Sequence, residues 1–240
     1  MSEAPKHGTD DPHHVTHSVL SRETIKDRIR RPISDPKSLV ITPLLPKADV
    51  YDHDSIDLRL GSYFLIPQSP PAPFLDPTEE DSSRLSHLKV HKPIGSYLVI
   101  PAHQTVLGAT LEFIKLPHDV SGQILTKSSV ARTFLLIETA PWVHPLYRGC
   151  LTLEIANVSN TPQLLYPGFY IGQLILIAND RAADESQPLS GAYVGPIEPE
   201  SPALKHPAEV LKEIGISRYR DPHSVEWRST TGVDPSDHDS

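Results

Sequence analysis

TVLGATLEFIKLPHDVSGQILTKSSVARTFLLIETAPWVHPLYRGCLTLEIANVSNTPQLLYPGFYIGQLILIA, residues 105–178, is the stretch that decides the fold. It divides into the apolar runs TVLGATLEFIKL, VSGQILT, FLLIET, CLTLEIANV, QLLY and FYIGQLILIA, with YLVIP at 97–101 ahead of them. Each run has strand length, and turn chemistry such as Pro117-His118-Asp119 or Pro167-Gly168 separates them. Many short strands at near-even spacing predict an all-β barrel or jelly roll. Within residues 150–155, alternation puts Leu151, Leu153 and Ile155 on the core face and Thr152 with Glu154 on the other.

Outward from this block, SIDLRLGSYFLI at 55–66 alternates Ile56, Leu58 and Leu60 against Asp57 and Arg59, which predicts a strand with Gly61 as a bulge or bend. Ser21 is placed to cap a short peripheral helix that runs to about Arg31. Leu20 would staple onto Ile25, and Pro32 would end the helix. Residues 1–17 mix His, Pro, Asp and Gly without periodicity and read as a disordered tail, and 67–83 reads as a loop. Beyond residue 180 a Pro- and acid-rich extension follows to 240, with a second short helix near 207–214, stopped by Gly215, and a disordered end. The domain is expected to span 18–180.

Composition narrows the function classes. The 240 residues carry 22 Lys and Arg against 30 Asp and Glu, a formal charge of −8, yet residues 84–181 hold eight basic and five acidic side chains. An acidic total argues against a nucleic-acid scaffold, and a mildly basic centre suits a small anionic ligand such as a nucleotide. The longest apolar runs fall far short of the roughly 18 residues that span a bilayer. The N-terminus lacks an apolar signal core. With a single Cys there can be no internal disulfide, and a soluble cytoplasmic protein is the expectation. One Cys also excludes the His/Cys zinc signature of zinc deaminases, and no P-loop, dinucleotide fingerprint or nucleophile elbow is present.

Two features could carry chemistry. In Lys127-Ser128-Ser129-Val130-Ala131-Arg132 two hydroxyls lie between two cations. If Ser129 opens a turn of helix they converge on a phosphate cradle, and otherwise they make a solvated polar turn. Glu154 is either an ordinary outward carboxylate or a general acid/base held on a rigid strand beside those cations.

The run from 107 to 176, with VLSRETIKDRI and SIDLRLGSYF before it, resembles the deoxycytidine triphosphate deaminase branch of the dUTPase-like superfamily over residues 18–180. The resemblance implies a distorted jelly-roll homotrimer with active sites between subunits. It also implies zinc-free hydrolysis of dCTP to dUTP and ammonia, with Mg²⁺ riding on the triphosphate. Lys127, Ser129 and Arg132 would hold the triphosphate, Ser128 would position water and base, and Glu154 would be the catalytic glutamate. Thr139 and Ala140 would line the pyrimidine pocket and Trp142 would supply its aromatic. His144 stands where the family has an aspartate that contacts the deoxyribose, and Leu146 stands where it has a glycine. The family's K-Y-x-G-Q tail is echoed only by Ala192-Tyr193-Val194-Gly195, which makes Tyr193 a further substrate contact. Two alternatives remain: a catalytically weak nucleotide-binding trimer, motivated by His144, and a dUTP diphosphatase.

Overall fold

In a computed structural model of the chain, the described residues are 18–45, 51–52, 54–68, 87–138, 140–184, 195–200, 209 and 212–213. The chain divides into two units, residues 1–69 with 85–201, and residues 70–84 with 202–240. In the second, Glu209, Lys212 and Glu213 are helical, within the span expected for a helix. The tail at 1–17 and most of the loop at 67–83 lie outside the described residues.

The first unit is built from strands, with two short helices among its described residues. One sheet has the order β10 (Trp142–Val143), β8 (Val120–Thr126), β13 (Tyr170–Ala178), β3 (Ser55–Arg59) and β2 (Tyr51–Asp52). A second runs β5 (His87–His91), β4 (Tyr63–Pro67), β7 (Thr105–Lys115), β11 (Arg148–Asn157) and β9 (Leu135–Ile137), with β1 (Val40–Thr42) also on β7. A third is the pair β12 (Gln163–Leu165) and β6 (Leu98–Ile100). Every pairing is antiparallel. Ile56, Leu58 and Leu174 from the first sheet and Ile114, Leu153 and Ile155 from the second are fully buried in one continuous core. This is the all-β architecture that the alternating runs predict. No helix among the described residues is long and apolar enough to cross a membrane.

Helix α1 (Arg22–Arg30) is the capped helix expected from Ser21, whose hydroxyl accepts from the Thr24 amide at 3.3 Å. Its Ile25 and the preceding Leu20 are buried, and Arg28 grips Asp119 in the β7–β8 turn with two bonds of 2.7 and 2.9 Å.

The run 55–66 is two strands rather than one. β3 belongs to the first sheet and β4 to the second, and the chain changes sheet between them. Leu60 forms an isolated bridge to Thr110, and the Gly61 amide donates to the Ala109 carbonyl at 2.7 Å. A side chain at Gly61 would put its Cβ 3.0 Å from that same carbonyl oxygen, so close backbone approach is why glycine stands there. Asp57 and Arg59, which alternation places opposite the core face, are not solvated. Asp57 is 5% exposed, and Arg59 donates to both oxygens of the buried Glu112 on β7, from its amide at 2.8 Å and its Nε at 2.6 Å. Periodicity distinguishes the two faces of a strand, but it does not show that a second layer covers the polar one.

β1, β2, β5 and β10 are strands that residue pattern does not reveal. Two of them have two residues and one has three, and β5 (HLKVH) carries His and Lys and leaves Leu88 exposed. Their pairing comes from neighbours rather than from their own composition.

The sheet crossing predicts that Gly61→Ala lowers stability by about 1–3 kcal/mol through overpacking. Glu112→Ala, which strands a buried guanidinium, should cost about 3–5 kcal/mol. Urea midpoints at an unchanged denaturant slope are the measurement, and a Glu112→Ala protein as stable as the parent would deny the pair its structural role.

Candidate active site

β11 carries Glu154 between two partners. Glu154 lies opposite Leu107 of β7, and Ile155 lies opposite Ile137 of β9. Its neighbours Leu153 and Ile155 are completely buried, so the backbone under Glu154 is held from both sides. The carboxylate is on the other face, as alternation predicts, but it is not simply solvated. Glu154 is half-buried, and its Oε2 is inaccessible and hydrogen-bonds to nothing among the described residues. Burial therefore pushes its pKa above the ordinary glutamate value. A carboxyl that is poorly solvated, unpaired and fixed on a central strand has the properties of a general base rather than a surface charge.

Two short hydrogen-bonded links bring the cationic turn to the same place. The Ile137 amide donates to Thr126 Oγ1 at 2.7 Å, and the Glu138 amide donates to the Glu154 carbonyl at 2.8 Å. The end of β8, the end of β9 and the backbone of Glu154 thus meet within two bonds. The chain leaves β8 at Lys127 and makes one helical turn, α2 (Ser128–Ala131), which opens one residue before Ser129, with Lys127 as its N-cap residue. Ser128, Ser129 and Arg132 are exposed on this turn. No hydrogen bond joins the side chains of Ser128 and Glu154. Lys127 does not reach into solvent like the others, because its Nζ is bonded to Asp57 of β3.

Ala140 is exposed, and the next residue, Pro141, accepts from the Ile124 amide at 2.9 Å. β10 then pairs with β8, burying Val143 against the core and leaving Trp142 47% exposed. His144 is exposed, and its carbonyl accepts from the Tyr147 amide at 3.3 Å. Leu146 has φ of +66°, the left-handed region that glycine favours. The turn therefore keeps a glycine-like backbone although leucine occupies it, at a cost of about 1–2 kcal/mol. Thr139 and Tyr193 lie outside the described residues.

Pattern missed three contributors. Asp57 looks like an outward strand residue and is the partner of Lys127. Gln173 of β13 donates to Asp57 Oδ1 at 3.3 Å. Residues 195–200 run beside β11: the Gly195 amide donates to the Arg148 carbonyl at 2.6 Å, the Cys150 amide to the Pro196 carbonyl at 2.7 Å, and the Glu200 amide to Thr152 Oγ1 at 3.3 Å. A Cβ at Gly149 would sit 2.6 Å from Pro196 Cδ, and φ there is +147°. A glycine as the second residue of β11 is the sequence signal for this close approach. Among the described residues no group of three or more His, Cys, Asp or Glu is arranged to hold a metal ion.

A solved structure shares this fold, and curated relatives share its sequence. The crystal structure of 2'-deoxycytidine 5'-triphosphate deaminase from Agrobacterium tumefaciens superposes with a TM-score of 0.52 at 21% identity and has the same fold. The match covers 68% of this chain and 49% of that one, about half its length. The "dCTP deaminase, dUMP-forming" of Corynebacterium kroppenstedtii is 34% identical over 161 residues, 67% of this chain and 84% of the relative. The protein of the same name from Acidothermus cellulolyticus is 38% identical over 133 residues, 54% and 68% of the two chains. The dCTP deaminase-like family model matches residues 19–178, a span that contains α1, both large sheets, the cationic turn and Glu154. Sharing that span and the fold, the chain belongs to the dCTP deaminase-like family.

Proposed function

We propose that this protein hydrolytically deaminates dCTP, with Glu154 as the general base. The observation that carries the reading is the half-buried Glu154 with an unpartnered oxygen, fixed beside the turn that bears Ser128. Glu154 takes a proton from a water held near Ser128 and Ala140, and the hydroxide adds to C4 of the cytosine. The carboxylic acid hands that proton to N3, then takes the proton of the new C4 hydroxyl and passes it to the exocyclic amine; the C4 carbonyl forms as the C4–N bond breaks, and ammonia leaves behind the uracil nucleotide. General acid–base action supplies about 10²–10⁴-fold, and positioning with charge stabilisation supplies the rest. Lys127, Ser129 and Arg132 bind the triphosphate, and Thr139, Trp142 and Tyr193 enclose the base and sugar. The turn offers cations and hydroxyls rather than carboxylates, a donor set suited to phosphate oxygens, so Mg²⁺ would be held by the phosphates themselves.

The product is the finer question. The relatives are named as dUMP-forming, which favours a second hydrolysis releasing pyrophosphate, and we propose dUMP as the final product in place of the dUTP that the motifs alone suggest. His144, exposed after β10, stands where the resemblance calls for an aspartate, and we assign it to the sugar side of the site. A homotrimer that completes the site between subunits is supported by the large apolar side chains a single chain leaves exposed, among them Phe134, Trp142 and Phe169. Incubation with dCTP and Mg²⁺, resolving ammonia, dUTP, dUMP and pyrophosphate, tests both steps. Ammonia without pyrophosphate returns the product to dUTP, and tight dCTP binding without ammonia would make the protein a nucleotide-binding trimer instead.

Glu154→Gln should keep dCTP binding and lose at least about 10²-fold in kcat. The same variant carries a stability signature. Because the folded Glu154 carboxyl holds its proton more tightly than the unfolded one, ionisation costs folding free energy as pH rises through the raised value. Glu154→Gln should therefore unfold at a higher temperature than the parent at pH 7–8, and the difference should shrink toward the unfolded glutamate pKa of about 4.3. Equal or lower Tm across that range contradicts the strained carboxylate.

Arg132→Ala should weaken dCTP far more than dCMP, since a charge-assisted phosphate bond is worth about 1.5–3 kcal/mol. Equal losses for the two nucleotides would place Arg132 away from the phosphates.

A further inference from the structure

We propose that Asp57 is a positioning residue for triphosphate binding, holding the Lys127 ammonium in place for the phosphates; this rests on the phosphate-binding role given above to Lys127. Two contacts immobilise that lysine, and a third fixes its partner. Its backbone amide donates to the Ile171 carbonyl of β13 at 3.0 Å, its Nζ is bonded to Asp57 Oδ2, and Gln173 Nε2 holds Asp57 Oδ1 at 3.3 Å. Gln173 and Asp57 are register partners across β13 and β3, so the carboxylate is oriented by the ladder itself. Lys127 is thus tied at its main chain to one strand and at its ammonium to the next strand over.

The burial values determine how this pair can work. Asp57 is 5% exposed and the Lys127 side chain 25% exposed. A carboxylate that buried requires a charged partner, so Lys127 does not leave it cheaply. An ammonium has three N–H donors and Asp57 uses one face of it, which leaves donors on the partly exposed side for phosphate oxygens. A free lysine would lose the rotamer freedom of its four-carbon stem on each binding event. Here folding has already removed that freedom, the usual source of a gain from preorganisation. Ser129 and Arg132 stand exposed on the turn that begins at Lys127.

The test uses calorimetric titration of dCTP and dCMP into the full-length Glu154→Gln protein, alone and combined with Asp57→Asn, Lys127→Ala, or both. The expected result for Asp57→Asn is a loss of roughly tenfold in dCTP affinity, the size of one charge-assisted bond. The change for dCMP should be under about twofold, and the double variant should be no weaker than Lys127→Ala alone, because Asp57 acts only through that lysine. A purely structural Asp57 would lower affinity for both nucleotides, or add its loss to that of Lys127→Ala, and either result overturns the proposal. So does unchanged or tighter dCTP binding in Asp57→Asn, the latter because Asp57 would then be sequestering the lysine. If Asp57→Asn does not fold, Asp57→Glu shifts the ammonium by one methylene. It must weaken dCTP selectively, and equal effects on the two nucleotides overturn the proposal as well. Failure of the Glu154→Gln parent to bind dCTP at all would instead remove the cradle reading, an outcome distinct from normal dCTP binding that ignores Asp57.

Discussion

The pair Arg59 and Glu112 joins the two large sheets, and much of the rest follows from it. Arg59 is on β3 of one sheet and Glu112 on β7 of the other, with side chains 11% and 2% exposed. The guanidinium also donates to the Pro43 carbonyl at 2.7 Å, which ties in the segment after β1. Burying a full ion pair is expensive, and breaking it by removing one partner costs more still. Here the pair stands at the point where the chain changes sheet. Gly61 brings the β3–β4 connection against the Ala109 carbonyl three residues from Glu112, and Thr110 between them turns its hydroxyl to the Leu151 amide at 2.9 Å. That bond satisfies an amide beside the bulge that shifts the β7–β11 register between Cys150 and Thr152.

The consequence reaches Glu154. From the bulge onward, β11 pairs with β7 through Ala156, and Leu153 and Ile155 enter the core while Glu154 faces away from it. At the far end Asn157 closes the strand. Its Nδ2 spans the carbonyls of Ile100, Pro101 and Thr161 at 2.8–3.1 Å, and its Oδ1 takes the Ser159 amide at 3.0 Å. The Oε2 of Glu154 is buried without a hydrogen-bond partner among the described residues, and that desolvation raises the pKa of the carboxyl.

The first sheet does for the cationic turn what the second does for the carboxylate. β8, β13 and β3 lie side by side, so Lys127 at the end of β8 can be held by Ile171 of β13 and by Asp57 of β3 beyond it. Thr126 then ties this end of the first sheet to Ile137 in the second. The two halves of the candidate site thus come from different layers, joined by one hydroxyl.

The sequence by itself determined the all-β class and the longer strands, the Ser21-capped helix, the position of the apolar core on Ile56, Leu58, Leu153 and Ile155, and the motifs that carry the family. These are local properties, set by period, capping and turn chemistry, and each can be read within a dozen residues. It also singled out Lys127, Ser128, Ser129, Arg132 and Glu154 as the groups with chemistry to offer. What only the tertiary structure decided is which polar residues are buried and what they face. Asp57 and Arg59 share a strand face that alternation assigns to solvent. One is paired with Lys127, 70 residues away, and the other with Glu112, 53 residues away. No window of sequence contains both members of either pair. The environment of Glu154 is likewise a property of the layers around it: the same pentad Leu-Thr-Leu-Glu-Ile on an open edge would leave the carboxylate hydrated, with an ordinary acidity. Burial and ion pairing depend on contacts between residues distant in the chain, so they appear only once the two sheets are placed against each other.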